Sequence, residues 1–237
     1  MTSTRPAALV EDCLAFLNEA WTAYHATAEA RRRLLAAGFK ELDESEPTHD
    51  VKPASKVSRS GYLQVGTQPY GGGLWHTWFD RDLGIAGRAI VKRGQGKYSH
   101  DLVKITRPIL RIPTLAIHLT SAEERKGFSP NLQNNFFPII ATGVKSELGS
   151  SKAGGDVGAN DGMSNGCGGS TERHHPVLVE VLAKELKCEA GDVEDFELQL
   201  CDTQPSCLGG ACSEFLVSGR LDNLCSSWQA CHCSQIH

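Results

Sequence analysis

Two side chains in this 237-residue sequence have the chemistry of a metal or substrate site, and each has an ordinary structural alternative. His118 lies inside the apolar segment Leu115-Ala116-Ile117-His118-Leu119. An imidazole there must find a hydrogen-bond partner or bear the cost of desolvation, so the residues alone favour a structural histidine. Asp222 sits in Gly219-Arg220-Leu221-Asp222-Asn223-Leu224, where a strand ends and a helix begins. A carboxylate at the C-terminal edge of a sheet can ligate a metal. Asp also caps helix N-termini well, and the residues alone favour that cap.

Other groupings are weaker. His174 and His175 are adjacent, so on a strand they face opposite ways and on a helix they diverge by about 100 degrees. They cannot pair on one metal by themselves. Cys225, Cys231, His232 and Cys233 fit neither a Cys-x2-Cys nor a His-x3-His arrangement, and contiguous Cys-His-Cys presents three ligands tetrahedrally only with difficulty. Gly71-Gly72-Gly73 removes every side chain from a short stretch, but no lysine or helix start completes a phosphate loop, so a tight turn is expected. Trp78-Phe79-Asp80-Arg81-Asp82-Leu83 packs aromatic and charged residues together, which suggests a buried ion pair or an interface.

The elements that must position these residues follow from periodicity. Leu9, Cys13, Phe16, Leu17, Leu34 and Leu35 recur at helical spacing, so Ala7 to Ala37 is expected as a helix closed by Gly38. Glu41 to Pro53 has no period and reads as a loop or junction. Tyr62 to Val65, Leu83 to Val91, Leu102 to Ile105, Phe196 to Leu200 and Glu214 to Val217 read as strands. Pro108 and Pro113 suggest a turn feeding a buried segment at Leu115 to Leu119, and Phe137 to Leu148 a short helix after Pro138. Ser146 to Gly169 is rich in glycine and serine and reads as a flexible surface insertion. Val177, Leu178, Val181, Leu182 and Leu186 mark a helix ending near Cys188.

At 40% hydrophobic content the chain is long enough to bury a core, in one large domain or two small ones. A formal net charge of -4 gives no electrostatic reason to expect nucleic acid or a membrane surface as partner. No stretch approaches the roughly 18 apolar residues of a spanning helix, and Met1 to Val10 lacks the apolar run of a signal peptide. The expected setting is soluble and cytoplasmic. Six of the nine cysteines fall between Cys201 and Cys233 and are read as reduced thiols, mostly packing residues.

The motifs occur together in an order that resembles the aspartyl aminopeptidases, cocatalytic zinc peptidases of family M18. They are Arg32-Arg33-Leu34-Leu35-Ala36-Ala37-Gly38-Phe39, Gln68-Pro69-Tyr70-Gly71-Gly72-Gly73-Leu74-Trp75, Thr77-Trp78-Phe79-Asp80-Arg81-Asp82-Leu83 and Pro108-Ile109-Leu110-Arg111-Ile112-Pro113. Leu115-Ala116-Ile117-His118-Leu119, Cys201-Asp202-Thr203-Gln204-Pro205 and Gly219-Arg220-Leu221-Asp222-Asn223-Leu224 complete the set. Plant members look closest, through Gly73-Leu74-Trp75-His76-Thr77-Trp78 and Arg220-Leu221-Asp222-Asn223-Leu224-Cys225.

The resemblance implies an α/β fold, in which a zinc-exopeptidase-like domain, incomplete here, is interrupted by a mostly β assembly domain. It assigns residues 1–60 to the peptidase domain, 61–217 to the inserted assembly domain, and 218–237 to the start of the second peptidase half with an aberrant tail. It implies two zinc ions per site, with Asp222 as the bridging ligand, and makes His118 a substrate contact reaching into a neighbouring subunit's site. Both structural alternatives are thereby set aside by the resemblance.

The implied activity is removal of N-terminal Asp or Glu from peptides, and the implied partners are those peptides, further copies of the chain or full-length family subunits. Departures accompany it. The family's His-Thr-Asp-Ser-Pro block is missing before Lys52-Pro53-Ala54-Ser55-Lys56, with the break near 47–51, where His49 and Asp50 are too displaced to be ligands. The sequence also ends before the family's general base and remaining ligands. A truncated or aberrantly spliced form, weak or inactive alone, is therefore expected, with a non-catalytic oligomerisation fragment as the alternative.

Overall fold

A computed structural model describes residues 5–39, 41, 56–59, 61–94, 96–132, 134–143 and 174–236. The junction at 47–51, His49 and Asp50, and the 146–169 insertion lie outside the described residues.

The N-terminal periodicity forms two helices where the sequence suggested one: α1, Arg5–Glu19, and α2, Ala23–Ala36. The reason is Thr22, whose extended backbone (φ -130°, ψ 170°) interrupts the spiral while its hydroxyl accepts the His25 N–H at 3.4 Å and restarts it. The other end matches expectation. Gly38 takes φ +91°, its N–H donates to Leu35 O at 3.0 Å, and Phe39 N–H donates to Leu34 O at 3.0 Å, a Schellman closure.

Three antiparallel sheets follow. β1 (Lys56–Arg59), β2 (Tyr62–Val65) and β5 (Ile139–Thr142) form one in the order β1-β2-β5. β3 (Leu83–Lys92), β4 (Tyr98–Leu110) and β6 (Val193–Asp202) form the second, ordered β4-β3-β6. β7 (Cys207–Gly209) and β8 (Phe215–Val217) form a small hairpin. Within the segment expected as a helix, Phe137 to Leu148, Ile139 to Thr142 is a strand instead, because Leu63 pairs with Ala141 and Gln64 with Ile139, and Ile139, Ile140 and Thr142 are β-branched, while 144–148 lie outside the described residues. Pro108 does not turn the chain. Leu83 pairs with Leu110 and Ile85 with Ile105, so residues 106–109 bulge opposite Gly84, where a missing N–H costs no ladder bond.

The central sheet has helices on both faces. On β3, Ile85, Ala89 and Val91 face the main core, which includes Leu178, Val179 and Leu182 of α3 (Pro176–Leu186). Ala86 points the other way, into a cluster with Trp21 and Cys201. This is the period-two alternation of a sheet covered on both sides. Gly87 is required there: a Cβ would stand 2.0 Å from the Glu197 carbonyl oxygen.

The last helix, α4 (Leu221–Ile236), returns to the N-terminal pair. Trp228 is buried with Cys13, Phe16, Leu17 and Ala20. The cysteine-rich tail thus forms part of the fold. Asp12 is the junction, accepting two bonds from Arg33 Nη1 at 2.7 Å and one from Trp228 Nε1 at 2.9 Å, with His232 Nδ1 3.6 Å away. Burial pushes the Asp12 carboxyl up, but the bonds from Trp228 and Arg33 outweigh it and hold the group below the usual carboxylate range.

Candidate functional site

Asp222 lies in the first turn of α4, after β8 and the short link Ser218 to Arg220. The backbone there is not helical, with φ -80° and ψ 116° at Asp222 and φ -96° and ψ 15° at Asn223, and the peptide between them is cis. The carboxylate is exposed and takes no hydrogen bond or ion pair among the described residues. The cap that the residues alone favoured is therefore not formed, since no helix N–H donates to Asp222.

The approach to Asp222 is anchored from both sides. Ser206 N–H donates to Asn18 Oδ1 at 2.7 Å, and the Ser206 and Ser218 hydroxyls meet at 2.7 Å. Arg220 lies over the Trp21 ring at 5.5 Å. Two turns further along α4, Trp228 is fixed by Asp12.

These residues do not fit a zinc pair on their own. Among the described residues no group of three His, Cys, Asp or Glu side chains could hold a metal ion, and a cocatalytic centre needs several ligands around each ion. Cys231 is buried with its Sγ 3.9 Å from Ala30 O, His232 stacks on Trp228 at 5.3 Å, and Cys233 is exposed. His174 is buried against Phe196 at 4.4 Å, and His175 Nδ1 accepts the Val177 N–H at the start of α3.

His118 occupies a short 3-10 turn, Ile117–Leu119, on a surface loop. The segment expected to be buried is open to solvent instead, with Leu115 62%, Ile117 60% and Leu119 71% exposed. The cause is local: after Ile112 the chain leaves the sheet, held at its root by Asp80, which accepts from Thr114 Oγ1 at 2.6 Å and Thr114 N at 3.1 Å. The imidazole is exposed and makes no hydrogen bond among the described residues, so a structural histidine does not describe it. His118 and Asp222 stand on separate elements, and no hydrogen bond joins them.

Sequence reasoning missed a surface groove of about 690 Å³ lined by His76, Thr77, Asp80, Arg81, Asp82 and Asp202, among others. It joins two motifs more than a hundred positions apart. Arg81 pairs with Asp202, and Arg111 pairs with Asp82 at 2.8 Å. These pairs are at the surface, with Arg111 and Asp82 51% and 61% exposed, so of the two alternatives for the aromatic and charged run, a buried ion pair or an interface, the buried pair is not formed. Thr114 holds the Asp80 carboxyl below its ordinary value against the opposing effect of burial. Each groove carboxylate already has a partner, so none stands ready as a base. Only the shared charge of the two motifs could have hinted at this pairing.

Residues 45–235 match the family profile described as aminopeptidase I zinc metalloprotease (M18). A probable aspartyl aminopeptidase of Ricinus communis is 42% identical over 279 positions, covering 96% of this chain and 57% of the relative. The aspartyl aminopeptidase of Dictyostelium discoideum is 48% identical over 187 positions, covering 78% and 39%. Among solved structures, the cryo-EM structure of the Ape4 and Nbr1 complex superposes with a TM-score of 0.78 at 32% identity, covering 98% of this chain and 52% of that one. The chain spans about half the length of the curated relatives it matches.

The alignments also differ in gaps. In the first, 96% of 237 residues is about 228, so about fifty of the 279 positions face no residue here. In the second, 78% is about 185 residues against 187 positions, so almost none do. With the family profile matched over 45–235 and these relatives at 42% and 48% identity, the chain belongs to the M18 family of zinc aminopeptidases, which are hydrolases.

Proposed function

We propose that the chain derives from an enzyme that removes N-terminal Asp or Glu from peptides in a zinc-dependent hydrolysis, and that it is weak or inactive alone. The observation that carries this reading is the exposed, unpartnered Asp222 carboxylate at the start of α4, within a chain of the M18 family. In the complete enzyme Asp222 would bridge two zinc ions. His118, exposed on its apolar loop, would contact substrate in a neighbouring subunit's site, which requires assembly with further copies or with full-length family subunits. On this reading residues 61–217 form the assembly domain, and 1–60 with 218–237 form a peptidase domain interrupted near 47–51, in a cytoplasmic protein. The fifty or so unmatched alignment positions support a missing block.

Incubation of the purified chain with aspartyl and glutamyl peptides, with and without zinc, tests this. Trace or no amino-acid release is expected from the chain alone. Release that a chelator abolishes, zinc restores and Asp222→Asn eliminates would establish the activity and overturn the inactivity.

A second reading is a non-catalytic oligomerisation fragment. It is favoured by the exposed apolar loop at Leu115, Ile117 and Leu119 together with the lack of a ligand cluster among the described residues. Mixing with a full-length family enzyme, followed by size exclusion, separates the readings: a strictly monomeric chain that never co-elutes rules this one out.

A further inference from the structure

Three cysteines lie on the helices α1 and α4, Cys13, Cys225 and Cys231, and none of them is bridged to another. The helices fix which of the three face one another. Along α1 the buried positions are Cys13, Phe16, Leu17 and Ala20, a single stripe at spacings of three and four. Along α4 the covered positions are Leu224, Cys225, Trp228, Cys231 and His232, and the residues between them are exposed. Cys225 and Trp228 therefore share a face, and Trp228 is buried in the cluster that holds Cys13.

The two helices run in opposite directions. Near the end of α1, Asn18 holds Ser206, whose hydroxyl in turn meets that of Ser218, just before α4. Nearer the start of α1, Asp12 holds Trp228. Positions 218 and 228 thus lie beside positions 18 and 12, and Cys225, on the inner stripe between them, falls level with Cys13. Facing positions on helices packed about 8–10 Å apart bring their Cα atoms to about 3–6 Å. That range overlaps the separation of about 4.4–6.8 Å that a disulfide needs. The thiols already act on each other: burial pushes the Cys13 thiol up, and Cys225 is the next cause that raises it. Cys231 faces α2 instead, with its Sγ 3.9 Å from Ala30 O.

We propose that Cys13 and Cys225 form a redox site, closed into a disulfide by oxidised glutathione or another small disulfide and reopened by the reduced thiol. Cys225, the less buried of the two, meets the reagent first. Its thiolate attacks one sulfur of the small disulfide, whose S–S bond breaks and expels one thiolate, leaving a mixed disulfide on Cys225. The Cys13 thiolate then attacks the Cys225 sulfur, breaks the mixed bond and expels the second thiolate. The two protein thiols are oxidised, the small disulfide is reduced to two thiols, and those thiols carry the two protons lost by Cys13 and Cys225. The bond fastens α4 to α1 between residues 212 positions apart. A cross-link over so long a loop restrains the unfolded chain and should raise Tm by roughly 5–15 °C.

Equilibration of the purified chain in glutathione buffers, from fully reduced to largely oxidised, tests the proposal. Samples are quenched with acid, alkylated in denaturant and mapped without reduction by peptide mass spectrometry. Chymotryptic cleavage after Trp228 separates Cys225 from Cys231 and Cys233. The expected product in the oxidising buffers is a peptide pair joining Cys13 to Cys225 within one chain. The rise in Tm should appear in wild type and in Cys233→Ser, whose side chain is exposed, and be absent in Cys225→Ser. The mapping is made on wild type, so it decides the question even where a variant folds poorly. A Cys13 recovered alkylated at every buffer ratio overturns the proposal. So does a Cys225 that carries only glutathione, or one joined to Cys231, to Cys233 or to a second chain.

Discussion

Replacing Asp12 with Ala removes the carboxylate at which α1, α2 and α4 meet. Arg33 loses both 2.7 Å bonds and Trp228 Nε1 loses its 2.9 Å acceptor. Removing one partner of a fully buried ion pair costs about 3–5 kcal/mol, and a hydrogen bond to a charged group contributes about 1.5–3 kcal/mol. Two facts reduce the total here. Arg33, 8% exposed, keeps Glu29 Oε1 at 2.7 Å, and Asp12 is itself 36% exposed. The expected loss is about 2 kcal/mol, a fall in Tm of roughly 4–8 °C for a chain of this size.

The pH dependence of this effect has a definite sign. The folded Asp12 pKa lies below its unfolded value, so its contribution is complete above roughly pH 4 and is lost as pH falls through the folded value. Urea unfolding followed by tryptophan fluorescence at pH 7 and pH 3 measures it. The gap between wild type and Asp12→Ala should be full at pH 7 and shrink at pH 3. A loss below about 0.5 kcal/mol at pH 7, the range of ordinary surface substitutions, or a gap undiminished at pH 3, would refute the reasoning.

Two further outcomes are expected. Gly87→Ala drives a Cβ to 2.0 Å from the Glu197 carbonyl oxygen and should prevent folding or cost several kcal/mol, whereas Gly191→Ala meets nothing within 4 Å and should be close to neutral in a thermal melt. The Cys201 thiol, pushed up to about 11 by burial, should resist alkylation in the folded protein at pH 8 while exposed Cys207, Cys212 and Cys233 react, as peptide mass spectrometry would show.

Much of the scaffold was legible because periodicity and burial agreed. Leu83 to Val91 alternates between the α3 core and the Trp21 cluster, and Leu178, Val179 and Leu182 recur at helical spacing on one buried face. Elsewhere tertiary context overrode local pattern. The first half of β4, Tyr98 to Asp101, is polar and becomes a strand through its register with Ala89 to Lys92. Ile139 to Thr142 is too short to show a period, and its partner β2 lies more than seventy residues away. Thr22 was hidden inside a run that looked helical throughout, and only its cap geometry divides it.

The candidate site was legible in a different way. The spacing around His118 and Asp222 favoured burial and capping, and both readings fail because the side chains are exposed and take no hydrogen-bond partner among the described residues. The roles proposed for them rest on resemblance, with which exposure is compatible. The Arg81 and Asp202 pairing and the Asp12 junction depend on contacts across 121 and 216 positions, which no local pattern encodes.

The most direct test is the zinc content of the purified chain after stripping with chelator, loading with zinc and exhaustive dialysis, compared with Asp222→Asn. With no group of metal ligands around Asp222 among the described residues, less than one tightly held zinc per chain is expected, and no difference between the two proteins. Two zinc ions per chain, lost in Asp222→Asn, would contradict it and show that the chain assembles the full centre.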